Sequence, residues 1–205
     1  MFDLFPQNSA YKKFWNWFEK NENRLFNFEK EQIIIFNELK TQLNIIDSNL
    51  TFELSSIQDG KREFVISADG LKKSFASVEK LYNEAPGLNK WIITKFRPRR
   101  EKLYSIDYGG IKVNPDDVAF ALVPNNNKVD IILYIKNYDE TDKNIYGAIV
   151  FLLLDSALGE YDVETKIGRI DMNPSKEMIN FNENNIQFLS KRFDEVFQEL
   201  NKMPG

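Results

Sequence analysis

The sequence predicts an α+β fold in which a mostly antiparallel sheet is covered by helices, with two N-terminal helices and one C-terminal helix. Apolar residues recur at helical spacing near both ends of the chain, and short strand-like segments separated by turn residues lie between them. The 205 residues are 42% hydrophobic and 14% aromatic, which is enough to fill a core and argues against intrinsic disorder. We expect a single domain over residues 1–205, with residues 1–45 forming a helical segment that packs on it.

The first part of the chain carries the helical pattern. From Ser9 to about Leu43, apolar side chains recur at spacings of three, four or seven, namely Phe14, Phe18, Leu25, Phe28, Phe36, Leu39 and Leu43. Asn21-Glu22-Asn23 indicates a break between a shorter first helix and a longer second one. The aromatic cluster at residues 14–18 lies at helical spacing, and such clusters usually belong to a core, so we place it there.

The middle of the chain alternates strands and turns. Leu50–Ile57 and Arg62–Ser67 flank Asp59-Gly60, a favoured hairpin turn. Apolar positions from Leu71 to Tyr82 define a helix that Pro86-Gly87 ends. Further strands are predicted at Trp91–Phe96, Leu103–Ile106, Ile111–Val113, Val118–Val123 and Val129–Ile135.

The last third contains a buried helix, a strand and a terminal helix. The segment from Thr141 to Leu158 is apolar almost all round, which is typical of a helix buried on most sides, and Gly159 suits its C-terminal end. Apolar and charged residues alternate over Tyr161–Ile167, which predicts a strand with one solvated face. Ile186–Leu200 places its apolar residues on one helical stripe.

The composition restricts the possible chemistry. The chain has no Cys and no His, which excludes disulfides, thiol nucleophiles, Ser-His-Asp triads and His-ligated metals. Catalysis would have to use carboxylates, Lys, Tyr or a hard cation such as Mg²⁺ held by oxygen atoms. The sequence contains no phosphate-binding glycine loop and no EF-hand pattern, and we expect no bound cofactor and no metal.

Charge is distributed unevenly along the chain. The formal net charge of −4 argues against general nucleic-acid binding, yet residues 1–102 carry +3 and residues 103–205 carry −7. Such polarity suits electrostatic steering of a partner, or pairing of the two halves with each other. The N-terminus lacks a secretory signal pattern, and the longest apolar run, Gly147 to Leu154, is too short to span a bilayer. We therefore expect a cytoplasmic protein without a membrane partner.

Basic residues concentrate at Lys95, Arg97, Arg99 and Arg100, a stretch that holds three of the seven arginines. Guanidinium groups offer planar forks of donors that bind phosphate or carboxylate. If the preceding strand continues, Lys95, Arg97 and Arg99 project from the same side of it. These four residues are candidates for binding an anion or an acidic partner, with pairing to the acidic half of the chain as the alternative.

Carboxylates concentrate at Asp155, Glu160, Asp162 and Glu164. On the predicted strand, Asp162 and Glu164 share one face about 6.5–7 Å apart at the backbone, within reach of one metal ion or one reacting group. Asp155 lies near the C-terminal end of the predicted buried helix, where the helix dipole disfavours a negative charge, so it needs a cationic partner. An arginine of the 97–100 stretch or Arg169 could provide that partner.

Three stretches together resemble a known group of bacterial proteins: Glu63–Gly70, Trp91–Arg99 and Leu154–Asp162. They are similar to a family of uncharacterised bacterial proteins of about this length, a domain of unknown function. The resemblance covers most of the chain. It implies no activity and carries no catalytic residue over to this sequence.

The sequence supports two functional hypotheses of different class. The first is a non-enzymatic protein-binding module of the immunity or regulatory type, favoured by the missing catalytic residue types and the polarised charge. The second is a carboxylate- or Mg²⁺-dependent enzyme in which the four carboxylates act on an anionic substrate oriented by Arg97 and Arg99. Convergence of Arg97, Arg99, Asp155 and Glu160 in one pocket would favour the enzyme. A third hypothesis, binding of single-stranded nucleic acid through residues 95–100 and the Trp15/Trp17 region, predicts salt-sensitive binding.

Overall fold

Helices and strands alternate through both halves of the chain. A computed structural model describes residues 9–178, 180–200 and 202 of the protein. Its helices are α1 (Ala10–Lys20), α2 (Glu22–Phe26), α3 (Gln32–Ile46), α4 (Phe75–Asn83), α5 (Lys143–Leu158), α6 (Glu160–Lys166) and α7 (Leu189–Leu200). Its strands are β1 (Thr51–Leu54), β2 (Arg62–Ser67), β3 (Trp91–Lys95), β4 (Ile106–Tyr108), β5 (Ile111–Val113), β6 (Val118–Asn125), β7 (Lys128–Ile135) and β8 (Ile167–Pro174). The prediction of an α+β fold with mostly antiparallel strands is confirmed.

Contacts within the chain divide it into two compact units, Met1–Arg97 (unit 1) and Pro98–Gly205 (unit 2). Each unit has its own hydrophobic cluster, and among the described residues the two clusters share no side chain. The sequence predicts one domain with a helical segment, residues 1–45, packed on it. That segment belongs to unit 1, and its apolar side chains help to form the core of that unit.

In unit 1 the helices and a three-stranded sheet of order β1-β2-β3 share one core. β1 and β2 form the predicted antiparallel hairpin around Asp59-Gly60, and β3 pairs parallel to β2 after α4. The ring centroids of Phe14 and Phe18 lie 6.1 and 5.2 Å from that of Phe64 on β2. The aromatic cluster of the first helix is therefore core, as its spacing predicts.

Unit 2 uses the same order of elements, a hairpin followed by helix and a parallel strand. β6 and β7 are antiparallel, α5 and α6 follow, and β8 pairs parallel to β7, while β4 and β5 form a separate hairpin. α5 is buried on most sides, as predicted, and Gly159 ends it with a φ of 82°. β8 therefore lies at one edge of the sheet β6-β7-β8.

The segment from residue 160 to residue 174 differs from the sequence prediction. The strand predicted over Tyr161–Ile167 is wrong, because residues 160–166 form α6 and the strand begins at Ile167. Glu160 and Val163 are both buried and lie three residues apart on one face of α6, and the buried Ile167 begins β8. Glu160 is buried but charged, so a search for apolar residues at helical spacing does not count it. What remains in the sequence is an alternation of apolar and charged residues, which predicts a strand.

Candidate functional site

Arg97 is paired with two carboxylates of its own unit. Its Nε donates to Glu53 Oε1 at 2.7 Å, and its Nη2 donates to Asp69 Oδ1 at 2.9 Å. Burial lowers the pKa of Arg97, but the hydrogen bonds to Asp69 and Glu53 outweigh burial and raise the pKa above its ordinary value. Arg97 is therefore a charged side chain whose counter-ions are already in unit 1.

Arg99 engages all its N–H donors within unit 2. Nε donates to Leu158 O at 2.8 Å, and Nη1 donates to Ser190 Oγ at 3.2 Å and Asp194 Oδ2 at 2.8 Å. Nη2 donates to Asp194 Oδ1 at 2.9 Å and to Asp162 Oδ2 at 2.7 Å. The hydrogen bond to Asp194, and after it the one to Asp162, raises the pKa of Arg99. A guanidinium has five N–H groups, so Arg99 has no further donor for a substrate.

Lys95 and Arg100, the other two basic candidates, belong to different units. Lys95 Nζ lies 3.6 Å from Glu79 Oε1 in unit 1. The backbone N–H of Arg100 donates to Ser156 O at 2.8 Å in unit 2, and Arg100 lines a cavity of about 230 Å³. Each unit thus contains two residues of the basic stretch.

Asp162 and Glu164 do not share one face, which corrects the prediction made from a strand. On α6 they are two residues apart, and this places their side chains roughly 200° apart around the helix axis. Asp162 lies 2.7 Å from Arg99 and 2.8 Å from Lys166 Nζ. Glu164 instead lines a groove beside β8.

Asp155 and Glu160 are buried at the junction of α5 and α6. Their exposed fractions are 7% and 0%, and the Asp155 carbonyl accepts the N–H of Gly159 at 2.8 Å where α5 ends. Within residues 9–178, 180–200 and 202, no three Asp, Glu, His or Cys side chains come close enough to hold one metal ion. Among the candidates, Arg99 and Asp162 form an ion pair, and Glu164 lies in a concave surface.

That concave surface, here called the β8 groove, lies between edge strand β8 and the helices α5 and α6. Its volume is about 470 Å³, a size typical of ligand and partner sites. Phe151 is 48% exposed in its wall, and a Cβ added at Gly147 would meet nothing within 4 Å. Its apolar lining consists of Val150, Phe151, Val163, Ile167, Ile170 and Met172.

A β-bulge shapes the β8 groove where β8 begins. The register of β7 and β8 shifts by one residue, so that Gly168 and Arg169 lie opposite Asp130. Asp130 Oδ1 accepts the Arg169 N–H at 2.8 Å, and the amide of Asn125 donates to both oxygens of the carboxylate. The Arg169 N–H, followed by Asn125, lowers the pKa of Asp130. A Cβ at Gly168 would overlap Asp130 Oδ1, so any larger residue there would have to displace the carboxylate.

Three charged side chains line the β8 groove: Lys128, Glu164 and Arg169. Lys128 Nζ donates to Ile167 O at 3.0 Å, and Arg169 Nε lies 2.9 Å from Asp171 Oδ2. Of these residues, Glu164 is a site candidate predicted from the sequence, and Arg169 is a predicted partner for Asp155. The lining of the β8 groove therefore contains both apolar side chains and charged side chains of both signs.

Unit 1 has a groove of similar size between α3 and its edge strand β1. Its volume is about 480 Å³, and polar residues such as Asn37, Lys40 and Asn49 line it together with Phe36 and Phe52. Its lining mixes polar and apolar side chains more evenly than that of the β8 groove. The β8 groove is therefore the better candidate for apolar recognition.

Known proteins assign no role to either groove, because no protein-family model, curated protein or solved structure matches the chain. No helix in the described part of the chain has the length and apolar character needed to cross a membrane. A role for the protein therefore has to come from its own geometry and chemistry.

Proposed function

We propose that the chain is a protein-binding module of the regulatory or immunity type and that its partner binds in the β8 groove. The observation that carries the proposal is an apolar groove of about 470 Å³ that stays open at Gly147 beside the half-exposed Phe151. Exposed apolar surface with an aromatic side chain and a charged rim is typical of protein interaction sites.

The pairing of the arginines also supports a binding module. Arg97 and Arg99 are the side chains that would orient an anionic substrate in the enzyme hypothesis. Each is held by two carboxylates of its own unit, at 2.7–2.9 Å. Orienting a substrate would require breaking these ion pairs, which is costly for partly buried charges. Arginines that stabilise the fold are expected to pair in this way, each with carboxylates of its own unit.

In the test, the 205-residue wild type and the variant Gly147→Trp are each used to capture binding proteins from a lysate of the source organism, and the captured proteins are compared. A Cβ at position 147 enters open space, and Gly147 lines the β8 groove, so we expect the indole attached there to occupy the groove. The matched control is Gly87→Trp, because Gly87 also lies in open space but belongs to unit 1. A second groove variant, Phe151→Asp, places a charge on the exposed apolar wall.

We expect the wild type and Gly87→Trp to capture one protein in a ratio of about one per chain, and both groove variants to lose it. Circular dichroism confirms that the variants remain folded. The proposal fails if no stoichiometric partner is captured, or if Gly147→Trp and Phe151→Asp capture it as well as the wild type does.

A further inference from the structure

We infer that the partner presents an Asp or Glu side chain to Lys128, next to an apolar side chain that enters the β8 groove between Gly147 and Phe151. This inference rests on the proposed function and specifies the chemistry of the same site. It follows from the surroundings of Lys128, from the shape of the apolar wall and from the edge of β8.

Lys128 is a half-buried cation without a carboxylate neighbour. Its Nζ donates to the carbonyl of Ile167 at 3.0 Å, and no carboxylate of the described residues lies within 4.0 Å of it. An ammonium has three donors, so two remain for another acceptor. Burial removes water from a charge, and a carboxylate is the group that compensates best for that loss.

The other lysines of unit 2 show that this arrangement is unusual. Lys136, Lys143 and Lys166 each lie within 4.0 Å of a carboxylate of the unit. The other described lysines of unit 2 that lack such a neighbour are exposed, so that water compensates their charge: Lys102, Lys112, Lys176, Lys191 and Lys202. Residues 103–205 carry a net charge of −7, so acidic side chains are abundant in this half. Lys128 is thus a partly desolvated cation whose counter-ion can come from a partner.

The apolar part of the site lies on α5. Gly147 and Phe151 are four residues apart, which places them on the same helix face, one turn from each other. The missing Cβ at Gly147 leaves space beside the Phe151 ring, and Val150 and Met172 also line the groove. An aliphatic or aromatic side chain of the partner can fill this space and bury apolar surface on all three.

The edge of β8 disfavours recognition by an added strand. A bulge lies at Gly168, the ion pair of Arg169 and Asp171 projects from the strand, and Pro174 ends it. Bulges, charges and proline are the features by which natural edge strands avoid pairing with another chain. The partner is therefore recognised through its side chains, a carboxylate and an apolar group, rather than through backbone pairing.

The experiment selects peptides from a random phage-displayed library on the full-length protein and removes those that also bind Gly147→Trp. Enriched sequences are then synthesised with amidated C-termini, so that only side chains carry carboxylates. We expect an Asp or Glu within a few residues of a large apolar residue. Lys128→Met should weaken binding roughly tenfold, as expected for loss of a partly buried charge pair. Lys112→Met, which removes an exposed lysine, should leave it unchanged.

A double-mutant cycle assigns the contact to the two side chains. Replacing the acidic residue of the peptide by its amide should weaken binding to the wild type by about the same factor, and should have little further effect on Lys128→Met. The inference is overturned if groove-specific peptides are enriched without an acidic residue, or if Lys128→Met binds them as the wild type does. In that case the proposed function still stands. If no peptide distinguishes the wild type from Gly147→Trp, both the inference and the groove as a protein site fail.

Discussion

At the scale of single residues, Arg99 joins three segments of unit 2 through one guanidinium. It contacts the end of α5 at Leu158, α6 at Asp162, and α7 at Ser190 and Asp194, with distances of 2.7–3.2 Å. The bidentate contact with Asp194 requires the planar fork of arginine, which a lysine ammonium lacks. Arg99 is one-third exposed, so water moderates the energy of each ion pair.

We therefore expect Arg99→Lys to destabilise the protein although it keeps the charge. The free energy of unfolding should fall by about 1–2 kcal/mol, because several charge-assisted hydrogen bonds are lost. Urea denaturation of the full-length chain measures the change. Arg192→Lys is the matched control, since Arg192 is 62% exposed and lies 3.6 Å from Glu195, and we expect less than about 0.5 kcal/mol there. Equal effects of the two substitutions would mean that the Arg99 fork does not stabilise unit 2.

Arg62 is a fully buried cation that forms an ion pair with the carboxylate of Glu29. It is 1% exposed, its guanidinium carbon lies 4.4 Å from the ring centre of Phe28, and Nη1 donates to the carbonyl of Ser55. Nη2 donates to Glu29 Oε1 at 2.6 Å. The backbone N–H of Glu29, followed by the Arg62 guanidinium, lowers the pKa of Glu29 below its ordinary value of 4.5.

A lowered folded-state pKa gives this pair a defined pH dependence. The stabilisation from Glu29 is fully present above its unfolded-state pKa, near 4.5, and is lost as the pH falls through the folded-state value. Because the Glu29 side chain is 58% exposed and water screens the pair, Glu29→Gln should reduce the free energy of unfolding by only about 0.5–1 kcal/mol at pH 7. The gap to the wild type should narrow below pH 4.5. Urea denaturation of the wild type and of Glu29→Gln at several pH values measures this difference in the free energy of unfolding. A gap of constant size from pH 7 to pH 3 would contradict the ion-pair account.

At the scale of elements, sequence patterns predicted those parts whose signals are local. Asp59-Gly60 predicts the β1–β2 hairpin because both residues adopt the positive φ that the turn requires. The helix α5 follows from an apolar run that ends at Gly159. The sequence does not predict α6, because the buried face of this helix contains the charged Glu160. It does not predict β8, because Ile170 and Met172 alternate with charged residues over too few positions.

The glycines of the β8 groove provide a test of how these elements pack. Gly147→Ala should raise the free energy of unfolding by about 0.5–1 kcal/mol, because alanine favours helix and its Cβ enters open space. Gly168→Ala should lower it by about 1–3 kcal/mol, because its Cβ overlaps the carboxylate of Asp130 in the bulge. Urea denaturation of both variants checks the opposite signs. If Gly168→Ala is neutral, the bulge can shift without cost and does not shape the groove.

At the scale of the whole molecule, the sequence predicts the class of the fold but not its division. Parallel pairing of β3 with β2 and of β8 with β7 joins strands separated by helices, and no local pattern encodes such a contact. For the same reason the β8 groove was not predicted, since Lys128, Gly147 and Met172 come from three separate elements. The basic and acidic clusters are visible in the sequence, but Lys95, Arg97 and Arg99 form ion pairs with carboxylates of their own unit.

The two cores share no residue in the described part of the chain, and we therefore predict that the units open separately. Leu39 in unit 1 and Leu133 in unit 2 are both fully buried, so Leu39→Ala and Leu133→Ala form a matched pair, each with a cost of roughly 2–5 kcal/mol in its own core. The measurement is native-state hydrogen exchange of the 205-residue chain. Leu133→Ala should lower the protection of the β6 and β7 amides and leave that of the β2 and β3 amides unchanged. Leu39→Ala should lower the protection of the β2 and β3 amides and leave that of the β6 and β7 amides unchanged. Equal loss of protection in both sheets for either substitution would mean that residues 1–205 unfold as one cooperative domain, as the sequence alone predicts.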